Sequence, residues 1–287
     1  MSSILSLSDV TVAFGELLAC DSVSFEQEEG ELLAIIGPNG AGKTTVLSAI
    51  SGVYVPRPGA SIKFAGGDDG SDLELIGRKP HQIVRLGLSR TLQNLGLFPG
   101  LSVFENLLMG RYVHQRQNLI LAGMFTPGIR RDEVEQRRAT EDLVDLLDLR
   151  EYLDEDLEAL PYGVQKRIEL GRALAMRPRL LLLDEPVAGM NRPEKFEMTE
   201  ALGRVRAERG TTLLLIEHDM EFVMGMADRL VVLNHGQMIA EGTPDEVQAN
   251  PLVIEAYLGA DDEDSLVADL GGDALGLSTP GDQSPAG

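Results

Sequence analysis

One short segment has the residue types and the spacing of a phosphate-binding loop. Its glycines let the backbone turn tightly with N–H groups directed inward, and its lysine can reach the β- and γ-phosphates of a nucleotide. The hydroxyl of Thr44 can bind Mg²⁺, which prefers oxygen ligands. The alternative is a glycine-rich turn with a solvated lysine, and the complete GxxxxGK[ST] spacing disfavours it. We expect a nucleoside triphosphate to bind at these nine residues: Gly37, Pro38, Asn39, Gly40, Ala41, Gly42, Lys43, Thr44 and Thr45.

A second apolar segment ends in two carboxylates, Asp184 and Glu185. In a parallel α/β sheet, ligands bind beyond the carboxyl ends of the strands. We expect Asp184 to hold Mg²⁺, directly or through water, and Glu185 to orient or deprotonate a water that attacks the γ-phosphate. The alternative is a strand that ends in a solvated acidic turn. The phosphate-binding loop in the same chain favours the functional interpretation.

Three further residues gain meaning only when they are considered together. Gln93 follows a short strand pattern, where its amide can ligate Mg²⁺ or position water. His218 follows another apolar strand, where an imidazole can hydrogen-bond to the γ-phosphate. Phe14 lies in a β-rich segment and can stack on adenine. Taken alone, these residues are more typical of a loop amide, a surface histidine and a core phenylalanine.

The elements around these residues predict an α/β protein. Leu32–Ile36, before the phosphate-binding loop, is a continuous apolar run typical of a buried parallel strand, and residues 46–50 begin a helix. Short alternating segments at residues 4–7, 10–14 and 23–26 predict an antiparallel sheet. Residues 102–149 have a mostly helical pattern. Beyond Pro161 the pattern returns to alternating helices and strands, at residues 165–176, 180–183, 193–208, 211–216, 219–226 and 230–233, with short helices from residue 244 and at residues 252–258.

The composition limits the class of protein. A net charge of −21 argues against binding to nucleic acid, whose phosphates an acidic chain repels. Cys20 is the single cysteine, which fits a reducing compartment and a packed residue. No apolar run approaches the length of a membrane span, and residues 1–4 lack the features of a signal peptide. We expect a cytoplasmic protein. Residues 261–287 hold seven acidic and no basic residues, so we expect a disordered acidic tail there.

Together, these motifs resemble those of the ATP-binding-cassette (ABC) ATPases, over residues 4–259. The shared order is the phosphate-binding loop, Gln93, the segment Leu-Pro-Tyr-Gly-Val-Gln at residues 160–165, the two carboxylates, and His218. Finer details resemble the ATP-binding subunits of branched-chain amino acid importers. These details are Arg-Thr-Leu-Gln at residues 90–93, Tyr162-Gly163, Pro-Val-Ala-Gly-Met-Asn at 186–191, Ile-Glu-His-Asp-Met at 216–220 and Ala-Tyr-Leu-Gly at 256–259.

The resemblance implies a P-loop NTPase fold of the ABC ATPase type, with a parallel-sheet RecA-like core, an antiparallel β subdomain and a helical subdomain at about residues 95–160. The resemblance also implies that ATP and Mg²⁺ are the cofactors. Phe14 would stack on adenine, and Gln93 would sense Mg²⁺ and the permease. Glu185 would be the catalytic carboxylate, and His218 would be the switch that responds to the γ-phosphate. The implied partners are a second ABC ATPase subunit, integral-membrane permease subunits and, indirectly, an extracytoplasmic substrate-binding protein. The chain would then lie on the inner face of the cell membrane.

One segment departs from the family pattern. The family signature Leu-Ser-Gly-Gly-Gln, which contacts the γ-phosphate of the ATP held by the opposite subunit, is Leu-Pro-Tyr-Gly-Val here. Pro161 offers neither a hydroxyl nor an N–H, so Gly163 and the helix N-terminus behind it are the remaining donors. We therefore expect a heterodimer with a related ATPase that has the unmodified signature.

Several other functions remain open at this stage. Within the superfamily, the alternatives are an ATPase for urea or short-amide import, or one for lipid export. A soluble ABC protein of translation or repair is an alternative of another class, but such proteins commonly have two cassettes or long insertions. A P-loop kinase or GTPase would not explain His218 or the Tyr162-Gly163 segment.

Overall fold

The computed structural model describes residues 3–66, 71–91, 96–111, 127–153 and 155–258. Gln93 and the predicted acidic tail lie outside these ranges.

 Within the described ranges, no helix is long and apolar enough to cross a membrane.

Ten strands and nine α-helices form in these ranges. The strands are β1 Ser3–Phe14, β2 Leu17–Glu28, β3 Leu32–Ile36, β4 Ser61–Ala65, β5 Asp72–Glu74, β6 Leu88–Arg90, β7 Leu180–Asp184, β8 Thr212–Ile216, β9 Arg229–Asn234 and β10 Gln237–Gly242. The helices are α1 Lys43–Ile50, α2 Pro80–Arg85, α3 Val103–Arg111, α4 Pro127–Leu146, α5 Tyr162–Leu174, α6 Arg192–Arg209, α7 Met220–Met226, α8 Pro244–Gln248 and α9 Pro251–Leu258.

A six-stranded sheet forms the centre of the fold, with the strand order β10-β9-β3-β8-β7-β6. Its five strands from β9 to β6 are parallel, and β10 pairs antiparallel with β9. The strands β3, β7 and β8 are buried along their whole length, because the sheet is covered on both faces. This arrangement confirms the parallel α/β core that the apolar runs predict.

Two hydrophobic clusters cover the two faces of this sheet. Along β3, Leu32, Ala34 and Ile36 join one cluster with residues of α3, α4, α5 and α6. Leu33 and Ile35 join the other cluster, with residues of α1 and of the antiparallel sheet. The alternation follows from the period of two of a β-strand, which directs successive side chains to opposite faces. The predicted bounds of a helical subdomain at about residues 95–160 stay a prediction.

A four-stranded antiparallel sheet, in the order β2-β1-β4-β5, packs beside the core. Two of the separate strands predicted for the start of the chain are one continuous strand, β1. The prediction was wrong there because Asp9, with φ of 51°, lies at an irregularity in the pairing with β2 and does not end the strand. The short elements β5, α2 and β10 were not predicted, and the half-exposed β10 has no clear alternation of apolar and polar residues.

Helix α5 begins earlier than the sequence pattern predicts. The predicted start was residue 165, but the helix starts at Tyr162, with Pro161 as its N-cap. A proline at this position needs no N–H of its own, since the first N–H groups of a helix have no partner within the helix. Residues 162–164 of the modified signature therefore lie in the first turn of α5.

Candidate functional site

The phosphate-binding loop connects β3 to α1, and its backbone requires glycine at two positions. Gly37 has φ of 145° and Gly42 has φ of 98°, a region that favours glycine. A Cβ at Gly37 would lie 2.0 Å from the carbonyl oxygen of Leu233, and a Cβ at Gly42 would lie 2.2 Å from that of Ala19. The loop therefore packs directly against the backbones of β9 and β2, which fixes its shape.

Lys43 begins α1 and is buried within the loop. Its ammonium group donates to the carbonyl oxygens of Gly37, at 2.7 Å, and Pro38, at 2.9 Å. Burial lowers the pKa of Lys43, and the nearby carboxylates of Glu185 and Asp184 oppose this shift. The amine thus lies inside the concave face of the loop, with two carboxylates close enough to stabilise its positive charge.

Asp184 is buried at the carboxyl end of β7, where Arg90 of β6 holds one of its oxygens. The Arg90 Nη2 donates to Asp184 Oδ2 at 2.7 Å, and the Arg90 Nη1 donates to the hydroxyls of Ser48, at 3.1 Å, and Ser51, at 3.2 Å. Since Ser48 is part of α1, this guanidinium links the strand that provides Asp184 to the helix that follows the loop. Its planar set of donors suits such a link better than an ammonium group would.

The second oxygen of Asp184 fits the expected Mg²⁺. Asp184 Oδ1 is buried and has no hydrogen-bond partner among the residues that the structure describes. A buried carboxylate oxygen requires a partner, and a cation or its bound water supplies one. Thr44 is half-buried in the first turn of α1. The described ranges contain no cluster of three or more His, Cys, Asp or Glu residues that could hold a metal ion. A nucleotide-bound Mg²⁺ does not require such a cluster, because it typically takes only one or two protein oxygens beside phosphate and water.

Glu185 and His218 lie side by side at the same end of the sheet. His218 Nδ1 is 4.0 Å from Glu185 Oε1, and both side chains are accessible to solvent. Glu185 has a left-handed backbone, with φ of 50°, and its N–H donates to the carbonyl oxygen of Ile216 at 2.9 Å. A non-glycine residue in this conformation is sparsely populated and is typical of functional sites. The predicted catalytic carboxylate and the predicted switch therefore lie close together.

At the modified signature, Gly163 has a partner within the same chain. Its N–H donates to Glu194 Oε1 at 3.0 Å. Glu194 is the third residue of α6, and its other oxygen accepts the N–H of Asn191 at 3.0 Å. A Cβ on Gly163 would lie 2.8 Å from the Glu194 side chain. The donor that the sequence leaves for a γ-phosphate is therefore already bonded to a carboxylate.

Phe14 ends β1 and is 47% exposed, so it is not the core residue of the alternative interpretation. Its ring meets that of Tyr54 edge to face, with centroids 5.0 Å apart. The two rings present an exposed aromatic surface of the kind on which a base stacks. Gln93 lies outside the described residues, so its role stays a prediction.

Four residues of this region were not assigned a role from the sequence. Arg90 and Glu217 each follow or end an apolar strand, and a charged residue there is the signal that was available. Glu194 has the spacing of a capping box with Asn191, which indicates a helix start but not the contact with Gly163. Tyr54 gives no signal of its own.

Family models and relatives agree on the class of protein. A model described as ABC transporter matches residues 20–188, and one described as branched-chain amino acid ATP-binding cassette transporter matches residues 237–263. The chain is 42% identical over 257 residues to the high-affinity branched-chain amino acid transport ATP-binding protein BraF of Pseudomonas aeruginosa, covering 89% of this chain and 98% of that protein. It is 39% identical over 256 residues to LivG of Escherichia coli K12, a protein of the same description, with the same coverages of 89% and 98%.

Solved structures share the fold. An ATP-binding cassette of an ABC transporter superposes with a TM-score of 0.76 at 29% identity, covering 90% of this chain and 99% of that one. A structure of the same cassette in its ADP conformation gives a TM-score of 0.74, also at 29% identity, and covers 90% of this chain and all of that chain, at 100%.

The contact between Arg90 and Asp184 predicts a large effect on stability. We expect Arg90→Ala to lower the free energy of unfolding by about 3 kcal/mol, because removal of one partner leaves a buried charge without its counter-ion. Arg150→Ala is the matched control, since Arg150 and Asp145 form a pair with side chains 65% and 57% exposed, and we expect it to cost about 0–1 kcal/mol. Urea unfolding of both variants measures the difference, and equal losses would contradict the role of Arg90.

Proposed function

The chain belongs to the ABC transporter family of ATPases, and we propose that it energises the uptake of branched-chain or related amino acids through a separate permease. One observation supports ATP hydrolysis most directly: Lys43, Asp184, Glu185 and His218 lie at the same end of the parallel sheet. The substrate class is supported by the names of BraF and LivG, which the chain resembles over nearly their whole length. The match of residues 237–263 supports the same substrate class.

The chemistry follows from the positions of these groups. Lys43 and the N–H groups of the loop bind the β- and γ-phosphates. Thr44 and Asp184 would hold Mg²⁺, which neutralises phosphate charge when it is bound. Glu185 takes a proton from a water whose oxygen attacks the γ-phosphorus, while the bond to the ADP oxygen breaks. His218 hydrogen-bonds to the γ-phosphate and so distinguishes ATP from ADP. Phe14 stacks on adenine, and Gln93 would be a further ligand for Mg²⁺.

We further propose that the chain acts at the cytoplasmic face of the membrane, bound to permease subunits and supplied by an extracytoplasmic binding protein. In this arrangement ATP closes two ATPase subunits face to face, and hydrolysis reopens them. The alternatives within the superfamily are import of urea or short amides, and lipid export.

Uptake measurements test the substrate class. We expect deletion of the gene to abolish the high-affinity uptake of labelled leucine and to leave the uptake of urea and acetamide unchanged. Restoring the wild-type gene should restore leucine uptake, and restoring Glu185→Gln should not, because that variant lacks the general base. Normal leucine uptake with loss of urea or amide uptake would contradict the proposed substrate.

We also propose that the chain pairs with a related ATPase that has an unmodified signature. The contact of Gly163 with Glu194 supports this proposal, since it adds a carboxylate to a helix N-terminus where Pro161 offers neither an N–H nor a hydroxyl. A phosphate bound in the partner would meet one engaged N–H and a negative charge. The site built on Lys43 and Glu185, in contrast, would be completed by the partner's unmodified signature and would be the more active one.

This asymmetry predicts that loss of the general base has a larger effect on ATPase activity in this chain than in the partner. We expect Glu185→Gln to reduce the ATPase activity of the assembled transporter about 10²–10⁴-fold, since it removes the general base of the more active site. The matching substitution in the partner should have a much smaller effect, because that site already lacks donors whose loss typically costs about 10²–10³-fold. ATPase and uptake assays of the two single mutants measure the difference. Equal losses, or full activity of this chain as a homodimer, would contradict the asymmetry.

A further inference from the structure

We propose that Glu217 is a positioning residue that fixes the catalytic carboxylate Glu185 and the switch His218 relative to each other. The inference rests on ATP hydrolysis at this site and adds a residue to it. Glu217 directly follows β8, and its side chain is fully buried. Two segments of the chain meet at this carboxylate: the one that follows Glu185 and the one that contains His218.

The two oxygens of Glu217 bond to different segments. Oε1 accepts the N–H of Val187 at 2.8 Å. Oε2 accepts the N–H of His218 at 2.9 Å and lies 3.4 Å from the N–H of Asp219. Val187 is two residues beyond Glu185 and is itself buried in the core. One rigid group therefore connects the turn after β7 to the turn after β8.

Stability alone does not explain a buried carboxylate at position 217, because burying a charged group costs free energy. Burial raises the pKa of Glu217, and the N–H donors of Val187, His218 and Asp219 oppose that shift. Apolar residues fill β8 immediately before it, so an apolar side chain would remove the cost of burying a carboxylate. Without the carboxylate, however, the N–H groups of Val187 and His218 would lose their shared acceptor, and the two turns would no longer be connected.

The separation of the two functional side chains depends on this connection. The Nδ1 of His218 is 4.0 Å from Glu185 Oε1 and 3.6 Å from Glu217 Oε2. Both distances exceed those of a hydrogen bond, so direct side-chain bonds do not hold the imidazole. The backbone of each turn must hold it instead. The left-handed conformation of Glu185 likewise needs support from its surroundings.

Substitution of the carboxylate by an amide tests the proposal. In Glu217→Gln the amide oxygen can accept from one turn, but the NH₂ group faces the N–H donors of the other, so one connection is lost. We expect kcat for MgATP hydrolysis to fall about tenfold, with a change of less than about twofold in the KM for ATP, because only the alignment for reaction is lost. Glu221→Gln is the matched control: Glu221 lies on α7, its side chain is 88% exposed, and we expect no change.

The experiment uses the assembled transporter, and kcat is expressed per transporter that binds a fluorescent ATP analogue, so a loss of folded protein does not imitate the effect. If Glu217→Gln does not fold, Glu217→Asp replaces it, since the shorter carboxylate cannot reach both turns, and the same selective loss in kcat is expected. Wild-type kcat in a folded variant, or a loss in ATP binding equal to that in turnover, would overturn the proposal. An assembled wild-type transporter without ATPase activity would instead contradict the proposed function.

Discussion

The parallel pairing of β7, β8 and β3 is the constraint on which the rest of the site depends. In the register of these strands, Asp184 pairs with Ile216, and Ile216 pairs with Ile35, so all three strands end at the same edge. The residues that follow each strand therefore emerge next to one another. The loop comes from β3, the two carboxylates come from β7, and Glu217 and His218 come from β8. Residues that are far apart in the sequence form one site because their strands are parallel and in register.

This arrangement concentrates negative charge where a nucleoside triphosphate is expected to bind. Each buried carboxylate has a specific compensating group: Arg90 for one oxygen of Asp184, and three backbone N–H groups for Glu217. Lys43 bonds to the loop carbonyls of Gly37 and Pro38 and interacts with the charges of Asp184 and Glu185. Such compensation stabilises the buried carboxylates at the edge where the negatively charged phosphates are expected to bind. At the modified signature, Glu194 is likewise bonded to a backbone N–H. This donor belongs to Gly163, so it is already engaged within the chain.

Much of the site could be predicted from the sequence because its signals are local. The spacing of the loop from Gly37 to Thr44, and carboxylates directly after an apolar strand, depend on neighbours in the chain. The contacts of Arg90 with Asp184, of Glu217 with Val187 and of Gly163 with Glu194 do not, since they join residues that are 94, 30 and 31 positions apart. No local pattern indicates which charged residue meets which donor. The continuous β1 was missed for a similar reason, because the partner strand and not the local sequence sets where it ends.

Calorimetric titration of MgATP into the full chain tests most directly whether this edge of the sheet binds a nucleoside triphosphate. We expect Lys43→Ala to raise the Kd for ATP at least about tenfold relative to the wild type, because it removes the cation that faces the phosphates and the charge-assisted bonds it makes. Lys63→Ala, at an exposed lysine of β4, is the control and should bind ATP as the wild type does. An unchanged Kd in Lys43→Ala would contradict the assignment of the phosphate-binding loop.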